Sequence, residues 1–483
     1  MMHQNFQAII LAAGKSSRFN TQLTKLAHPV CGQELITYPA QVFASLTIPT
    51  CFVVGHQHDL IMDILKKKTA TQPTFVIQEE QQGTGHALAC SRKHWQADSL
   101  IVMNGDLPLV TPELITQLIQ HHTNKQASVS FVTTATVAPQ AEAYGRIFQD
   151  DGKLKIIEAR HLTGIDKHAH PANAGIYIFK RAFLEKALSH LAPNNESQEI
   201  YITDLIHYAS QQQLPVTTID VPFTCIQGVN TLEELHIAER NLRSLIIQSH
   251  MKQGVRFADM QTTYLDANVT IGADTYIGAN VTLANSTNIG KNCSIENSTQ
   301  ISNSTVENNV TILPFCVIHH SHIKEQACIG PFAHLRGKVT ISQKATVGNF
   351  VEMKSCSLGH KSKAKHLSYL GDATIGSEVN IGAGTIICNY NGVTKNHTFI
   401  EDKVHIGSNT ALLAPLTIHQ NAIIAAGSVI NLEVPSGALA IARSYQTNKE
   451  NYVPYLREKL RQPHSKNTAS KKTTHPSLVS EEA

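Results

Sequence analysis

Two stretches of this chain carry residues whose types and spacing could do chemistry. "LAAGKSSRFNTQLTKL" (11–26) sets Gly14 after an apolar run, then Arg18, then Lys25. A glycine turn bares backbone N–H groups, and two nearby cations complete a cradle for a polyphosphate. An ordinary strand–turn–helix with solvated charges gives the same pattern. "NGD" (104–106) follows a second apolar run and puts Asp106 where a hard cation could bind; a turn aspartate is the alternative. Far downstream, "GNFVEMKSCSLGHKSKAKHLSYLGDATIG" (348–376) crowds lysines around His366 and Tyr369. Basic side chains suit a bound phosphate, and a histidine suits proton transfer near neutral pH. In a chain with 26 histidines, a solvated corner loop is the competing reading.

The first stretch needs a sheet to hold it. "FQAIILAAG" (6–14), "TCFVVG" (50–55), "TFVIQE" (74–79) and "LIVMNGD" (100–106) are short apolar runs. They alternate with helix-like segments such as "ELITYPAQVFASL" (34–46) and "GTGHALACSRKHW" (83–95). Strands buried on both faces and alternating with helices predict an α/β unit over 1–230, a doubly wound, Rossmann-like, mostly parallel sheet. Ligands bind beyond the carboxyl ends of such strands, where Gly14 and Asp106 fall. "TLEELHIAERNLRSLIIQSHMKQ" (231–253) follows, with Leu235, Ala238, Leu242 and Leu245 at helical spacing, and predicts an amphipathic connecting helix.

The second stretch lies in a different architecture. From about 264 an aliphatic residue returns every six positions: Ile271, Ile277, Leu283, Ile289, Ile295, Ile301. The beat slips by one near 306 and again near 317. It then runs through Val317, Ile323, Ile329, Leu335, Ile341, Val347 and Met353, is lost until Ile375, and resumes at Ile381, Ile387, Ile400 and Ile406. Neither a helix nor a flat strand has period six; three hexapeptides per coil make a triangular parallel β-helix with the aliphatic residue inside. Residues 254–452 are assigned to it, with about nine coils between 265 and 433. Left-handed winding is what resemblance to hexapeptide proteins implies. The polar tail 453–483 reads as disordered.

The bulk numbers fit. A chain of 483 residues implies two or three domains, and a net charge of +3 does not mark a nucleic-acid binder. The nine cysteines include no Cys-x-x-Cys pair and read as reduced thiols of a cytoplasmic protein; Cys356 and Cys388 are taken as packing thiols. The N-terminal apolar run is too short for a membrane span, and no membrane insertion is expected. "HHSH" (319–322) has metal-binding residue types but no further ligand words beside it.

The words in the first half occur in a set. "LAAGKSSR", "QQGTGHA" (81–87), "NGD", "YGRI" (144–147), "NAGIYIF" (173–179), "EIYITD" (199–204) and "GVN" (228–230) resemble, in order and spacing, the sugar-1-phosphate nucleotidyltransferases. The resemblance implies that Leu11, Ala12, Ala13, Gly14, Gln78, Gly83 and Thr84 hold the nucleobase end of the nucleotide. Arg18 and Lys25 would bind the triphosphate. Asp106, within Asn104–Gly105–Asp106, and Asn230 would hold Mg²⁺. Gly145, Glu158 and Asn173 would contact the sugar. The departures are Ser16-Ser17 for Gly-Thr, Thr24 for proline, and "ARH" (159–161) for a charged run.

In the second half, "IGPFAHLR" (329–336), "GNFVEMK" (348–354), "KHLSYLGDATIG" (365–376), "NIGAGTIICNYNG" (380–392), "IGSNT" (406–410), "AAGS" (425–428) and "AIAR" (440–443) occur in order. With the first half they resemble the bifunctional N-acetylglucosamine-1-phosphate uridyltransferase/glucosamine-1-phosphate acetyltransferase family over about 6–450. The resemblance implies His366 as general base, oriented by Glu352. Arg336, Lys354, Tyr369 and Asn380 would hold the sugar phosphate. Ala383, Asn389, Tyr390, Ser408, Ala426 and Arg443 would line an acetyl-CoA site. UTP, acetyl-CoA and sugar phosphates are the expected small-molecule partners, and a homotrimer with sites between subunits the expected assembly. "HLRGK" stands for the usual "RLRPG", so the loop beside Arg336 is expected to differ. Two other readings compete: nucleotidyl transfer alone with a structural β-helix, and a non-catalytic scaffold.

Overall fold

The computed structural model describes residues 5–69, 73–135, 139–162, 170–194 and 197–461. The strand Phe6–Ala12 sits centrally, parallel to Thr50–Val54 on one side and Ser99–Asn104 on the other. Thr74–Ile77 extends the sheet in parallel, and Ala172–Lys180 runs antiparallel between Ser99–Asn104 and Val129–Thr134. Val216–Asp220 closes the far edge. The continuous apolar runs have a physical cause: alternate residues enter different cores. Ile10, Phe52 and Ile101 pack on one face, and Ile9, Val53 and Val102 on the other. Burying one such side chain contributes roughly 1.5–3 kcal/mol. The ends of Phe6–Ala12 and Ser99–Asn104 therefore deliver Gly14 and Asp106 to the same edge.

The connecting helix spans Leu232–Lys252. Thr231 caps it by accepting a hydrogen bond from the Glu234 amide, and the Glu234 carboxylate accepts from the amides of Thr231 and Asn230. Ala238 and Leu242 enter the α/β core while Ile247 enters the next one, so one helix anchors in both. Leu245, expected on the apolar stripe, is exposed; the turn toward the second core brings Ile247 inward instead.

The second core is a single column of coils. One file of inward side chains runs Leu265, Leu283, Ile301, Ile318, Leu335, Met353, Leu370, Ile387, Leu412, Ile430, each strand parallel to the next. Those ten levels enclose nine coils, as expected, although several sides are five residues long instead of six. Ile301 to Val306, Ile318 to Ile323, Met353 to Leu358 and Leu370 to Ile375 are such sides, all buried at both ends. Ile318, not Val317, is therefore the inward residue of its level. The expected interruption after Met353 is likewise no break. Thr346–Leu358 and Lys363–Ile375 are continuous strands, with Leu358, Ala364 and Leu370 inside. The true excursion is at 388–397, between Ile387 and Ile400. Glycines after the aliphatic residue admit the next coil: a Cβ on Gly348 would lie 2.0 Å from the Lys365 carbonyl oxygen.

Two further expectations change. Residues Tyr452–Arg461, placed in a disordered tail, form an exposed helix rich in helix-forming Leu, Glu, Lys and Arg; 462–483 lie outside the described residues. All nine cysteines are free; Cys356 is buried, but Cys388 is exposed, since alternation about the inward Ile387 turns it outward.

Candidate active sites

The N-terminal site is a cleft of two adjoining hollows, ≈ 510 and ≈ 190 Å³, at the carboxyl edge of the sheet. Leu11, Ala12, Ala13, Gly14, Lys25, Gln78 and Gly83 line the larger, and Thr84, Asn104, Asp106 and Glu158 line both. Arg18, Gly145, Glu158, Asn173 and Asn230 line the smaller. Gly105 lines neither; its amide donates to the Leu11 carbonyl, and a Cβ there would strike Ile36.

Gly83 takes φ +107°, and a Cβ there would lie 2.5 Å from the Ile200 carbonyl, so only glycine fits this turn. The Gln78 side-chain amide donates to the Gly83 carbonyl (3.2 Å) and lies 3.0 Å from His86 Nδ1. At the junction, Lys25 Nζ bonds both Asp106 and Asn230 Oδ1 (2.9 Å), and Arg18 donates to the same Asn230 oxygen (3.0 Å). Two oxygens thus converge on one positive charge. Deeper in, Glu158 accepts from Thr203 (2.9 Å), and burial raises its pKa. The Asn173 amide donates to Tyr177 Oη (2.6 Å), which fixes its orientation.

The C-terminal site lies on one corner and the adjoining face of the β-helix. Asn349 and His366 are register partners in successive coils, and His366 Nδ1 lies 2.9 Å from Asn349 Oδ1. An acceptor at Nδ1 places the ring proton there and leaves the Nε2 lone pair free. Glu352, expected to orient His366, instead accepts from Arg336 Nε (2.8 Å) and Nη2 (2.5 Å). Register explains this: Glu352 stands next to Tyr369, three residues beyond His366, while Arg336 sits one coil away on the same face. Lys354 and Tyr369 share that face; Asn380 is exposed in the following coil.

The 388–397 excursion folds beside this face as a small hairpin, Tyr390 bridging Lys395 and the Asn396 amide donating to the Asn389 carbonyl (2.7 Å). It carries Asn389, bonded to Asp372, and the exposed Tyr390. It also carries Lys395, which the sequence reading missed. A hydrogen bond and charge repulsion from Lys354 lower the Lys395 pKa. Ala383, Ser408 and Ala426 continue the His366 corner through three coils. Carbonyl-to-amide bonds link Ala383 to Asn409 and Ser408 to Gly427, and Arg443 donates to the Ala426 carbonyl (2.8 Å). The corner beside Arg336 turns through Gly337 and Lys338, both at φ +69°.

Comparison with known proteins matches both halves. Residues 8–201 fit the model of the MobA-like NTP transferase domain, and 268–300 and 397–431 fit the hexapeptide repeat of succinyl-transferase. "Bifunctional protein GlmU" of Alkaliphilus metalliredigens is 38% identical over 92% of this chain and 98% of its own length. That of Thermosipho melanesiensis is 39% identical over 96% and 100%. That of Geotalea uraniireducens is 38% identical over 93% and 98%. The chain belongs to the GlmU family. It is a bifunctional transferase with a nucleotidyltransferase half and a hexapeptide half.

Within the GlmU frame, the chain's departures have visible structural consequences. Ser16 takes φ +57°, the left-handed region that glycine prefers. "ARH" supplies Arg160, which donates to Glu199 (2.7 Å) and lies over the Tyr201 ring at 5.5 Å, forming a wall of the larger hollow. Both words were visible in the sequence, but their pairing across 39 positions was not. In "HHSH", His319 bonds Ser302 and His322 pairs with Glu307; among the described residues no group of three metal-ligating side chains occurs.

Proposed function

We infer that this protein makes UDP-N-acetylglucosamine in two steps at two separate sites. In the first, the amino group of glucosamine-1-phosphate attacks the thioester of acetyl-CoA at the C-terminal corner. His366 Nε2 takes the proton, and coenzyme A leaves as the thiol. Arg336, Lys354, Tyr369 and Asn380, joined by Lys395, hold the sugar phosphate. Ala383, Asn389, Tyr390, Ser408, Ala426 and Arg443 line the thioester side. In the second step, a phosphate oxygen of N-acetylglucosamine-1-phosphate attacks the α-phosphorus of UTP, and pyrophosphate leaves.

Arg18 and Lys25 neutralise the triphosphate, and Gln78 with Gly83 and Thr84 reads the base. Glu158 and Asn173 hold the sugar. The donor set fits Mg²⁺: Asp106 and Asn230 offer two hard oxygens that already converge on a cation, and substrate phosphates would complete the shell. Bound there, Mg²⁺ would offset charge on the phosphates being transferred. The protein is read as a cytoplasmic homotrimer. Nine free thiols agree with a reducing compartment, and the open corner around His366 agrees with a site completed by a neighbouring subunit. Among the described residues, no helix is long and apolar enough to cross a membrane.

The observation that carries this reading is the pairing of a phosphate-and-metal junction at Lys25–Asp106–Asn230 with an Asn349-oriented histidine on a hexapeptide corner. A split assay tests it. Glucosamine-1-phosphate with acetyl-CoA should release thiol; N-acetylglucosamine-1-phosphate with UTP and Mg²⁺ should release pyrophosphate. Thiol release without pyrophosphate from any nucleotide would reject the second step.

A further inference from the structure

The phosphate turn is held by a clasp that no residue of the proposed chemistry explains. Gln57 lies in the turn after the strand Thr50–Val54, outside the cleft lining, with its own backbone at φ +54°. Its side-chain oxygen accepts from the Thr24 amide (2.9 Å), and its side-chain nitrogen donates to the Gln22 carbonyl (2.7 Å). One planar amide thus grips the backbone on both sides of residue 23. From the opposite side, Ser16 Oγ accepts from the Lys25 amide (3.2 Å) and lies 3.2 Å from Thr24 Oγ1. Thr24 is 2% exposed, so its amide, if left unpaired, would be costly.

We infer that Gln57 is a positioning residue for nucleotidyl transfer, acting with the Ser16 hydroxyl to hold the Lys25 ammonium at the Asp106–Asn230 junction. The geometry leaves the lysine backbone little freedom. Its amide is bonded to Ser16, the preceding amide to Gln57, and its side chain reaches across to Asp106 and Asn230. Arg18 rides on the same stitched loop and shares the Asn230 oxygen. The strained Ser16 conformation has a matching cause. Glycine would relieve the backbone but would supply no hydroxyl to join the two cation-bearing turns. The clasp ties phosphate binding to the strand Thr50–Val54, a rigid element, rather than to the turn itself.

This inference rests on reading the N-terminal cleft as a nucleotidyl-transfer site, and the experiment separates the two. Wild-type protein, Gln57→Ala, Gln57→Glu, Lys25→Ala and the Gln57→Ala/Lys25→Ala double variant are assayed for pyrophosphate release and, as an internal control, for thiol release. Gln57→Ala should lower kcat/KM for UTP by about 10- to 100-fold, the scale of a displaced catalytic group, with thiol release unchanged. Gln57→Glu keeps the acceptor for the Thr24 amide and should recover part of the loss. In the Lys25→Ala background, Gln57→Ala should add almost nothing, because both act through one ammonium. An undiminished further loss in the double variant, or unchanged kcat/KM in Gln57→Ala, would overturn the inference. Hydrogen exchange at the Thr24 amide gives a readout independent of turnover: protection should fall in Gln57→Ala, and equal protection in both proteins would also overturn it. A wild-type protein that releases no pyrophosphate would overturn the cleft's assignment itself, whatever the exchange shows.

Discussion

The two sites are built on opposite plans. The N-terminal cleft is concave, and its key groups find partners within the chain: Lys25 with Asp106, Arg18 with Asn230, Glu158 with Thr203. The C-terminal site is convex. His366 is exposed, Leu367 beside it is 61% exposed, and Tyr390 is 60% exposed. An α/β sheet makes a pocket where its loops diverge, whereas a prism has only faces and corners. A site on a prism acquires walls from an extruded hairpin, as at 388–397, or from another surface. Phe315, Phe332 and Phe350 stack at 5.0 and 5.2 Å along the corner that leads to His366, an apolar edge beside the open site.

That contrast makes specific predictions. The largest effect belongs to the cleft. Asp106→Ala should cut pyrophosphate release on the order of 1,000-fold, with thiol release intact; loss of both in folded protein would erase the distinction. At the corner, Asn349→Ala removes the acceptor that fixes the His366 tautomer. Its kcat for thiol release should fall roughly tenfold, the worth of one neutral hydrogen bond, with little change in KM. A change confined to KM would assign Asn349 to binding instead.

Lys395→Ala should act the other way, raising KM for glucosamine-1-phosphate by about tenfold. Because Lys354 lowers the Lys395 pKa, wild-type binding should also weaken as pH rises, beginning below the ordinary lysine range. In Lys354→Ala that onset should move upward.

The smallest effect is on stability. Burial lowers the His122 pKa from 6.5 to about 4, and among the described residues its Nε2 has no hydrogen-bond partner. The unfolded state therefore binds the extra proton between those values, so stability should decline as pH falls from 6.5 toward about 4. Chemical denaturation at several pH values, repeated with His122→Gln, should show a shallower decline in the variant.

Much of this was legible in the residues themselves. Isoleucine at six-residue spacing points into a prism, and the apolar runs closed by glycine or Asn-Gly-Asp end at the sheet's ligand edge. What escaped the sequence were register and length. Five-residue sides hid Leu358 and Leu370, and Ala364 is too small to mark the beat, so a continuous pair of strands looked like a break. Glu352 and His366 are close in sequence, but coil register pairs His366 with Asn349 and sets Glu352 beside Tyr369. Lys395 sat unnoticed because its hairpin has no repeat of its own. The helix Tyr452–Arg461 was lost in a polar composition that favours helix and disorder alike.

The central claim is that one chain holds two independent reaction centres, and one substitution tests it most directly. His366→Ala is assayed for thiol release and pyrophosphate release, beside the wild-type protein and with the assembly state checked. The structure predicts that thiol release disappears while pyrophosphate release from UTP and N-acetylglucosamine-1-phosphate continues at the wild-type rate. Equal loss of both activities in a correctly assembled protein would contradict it.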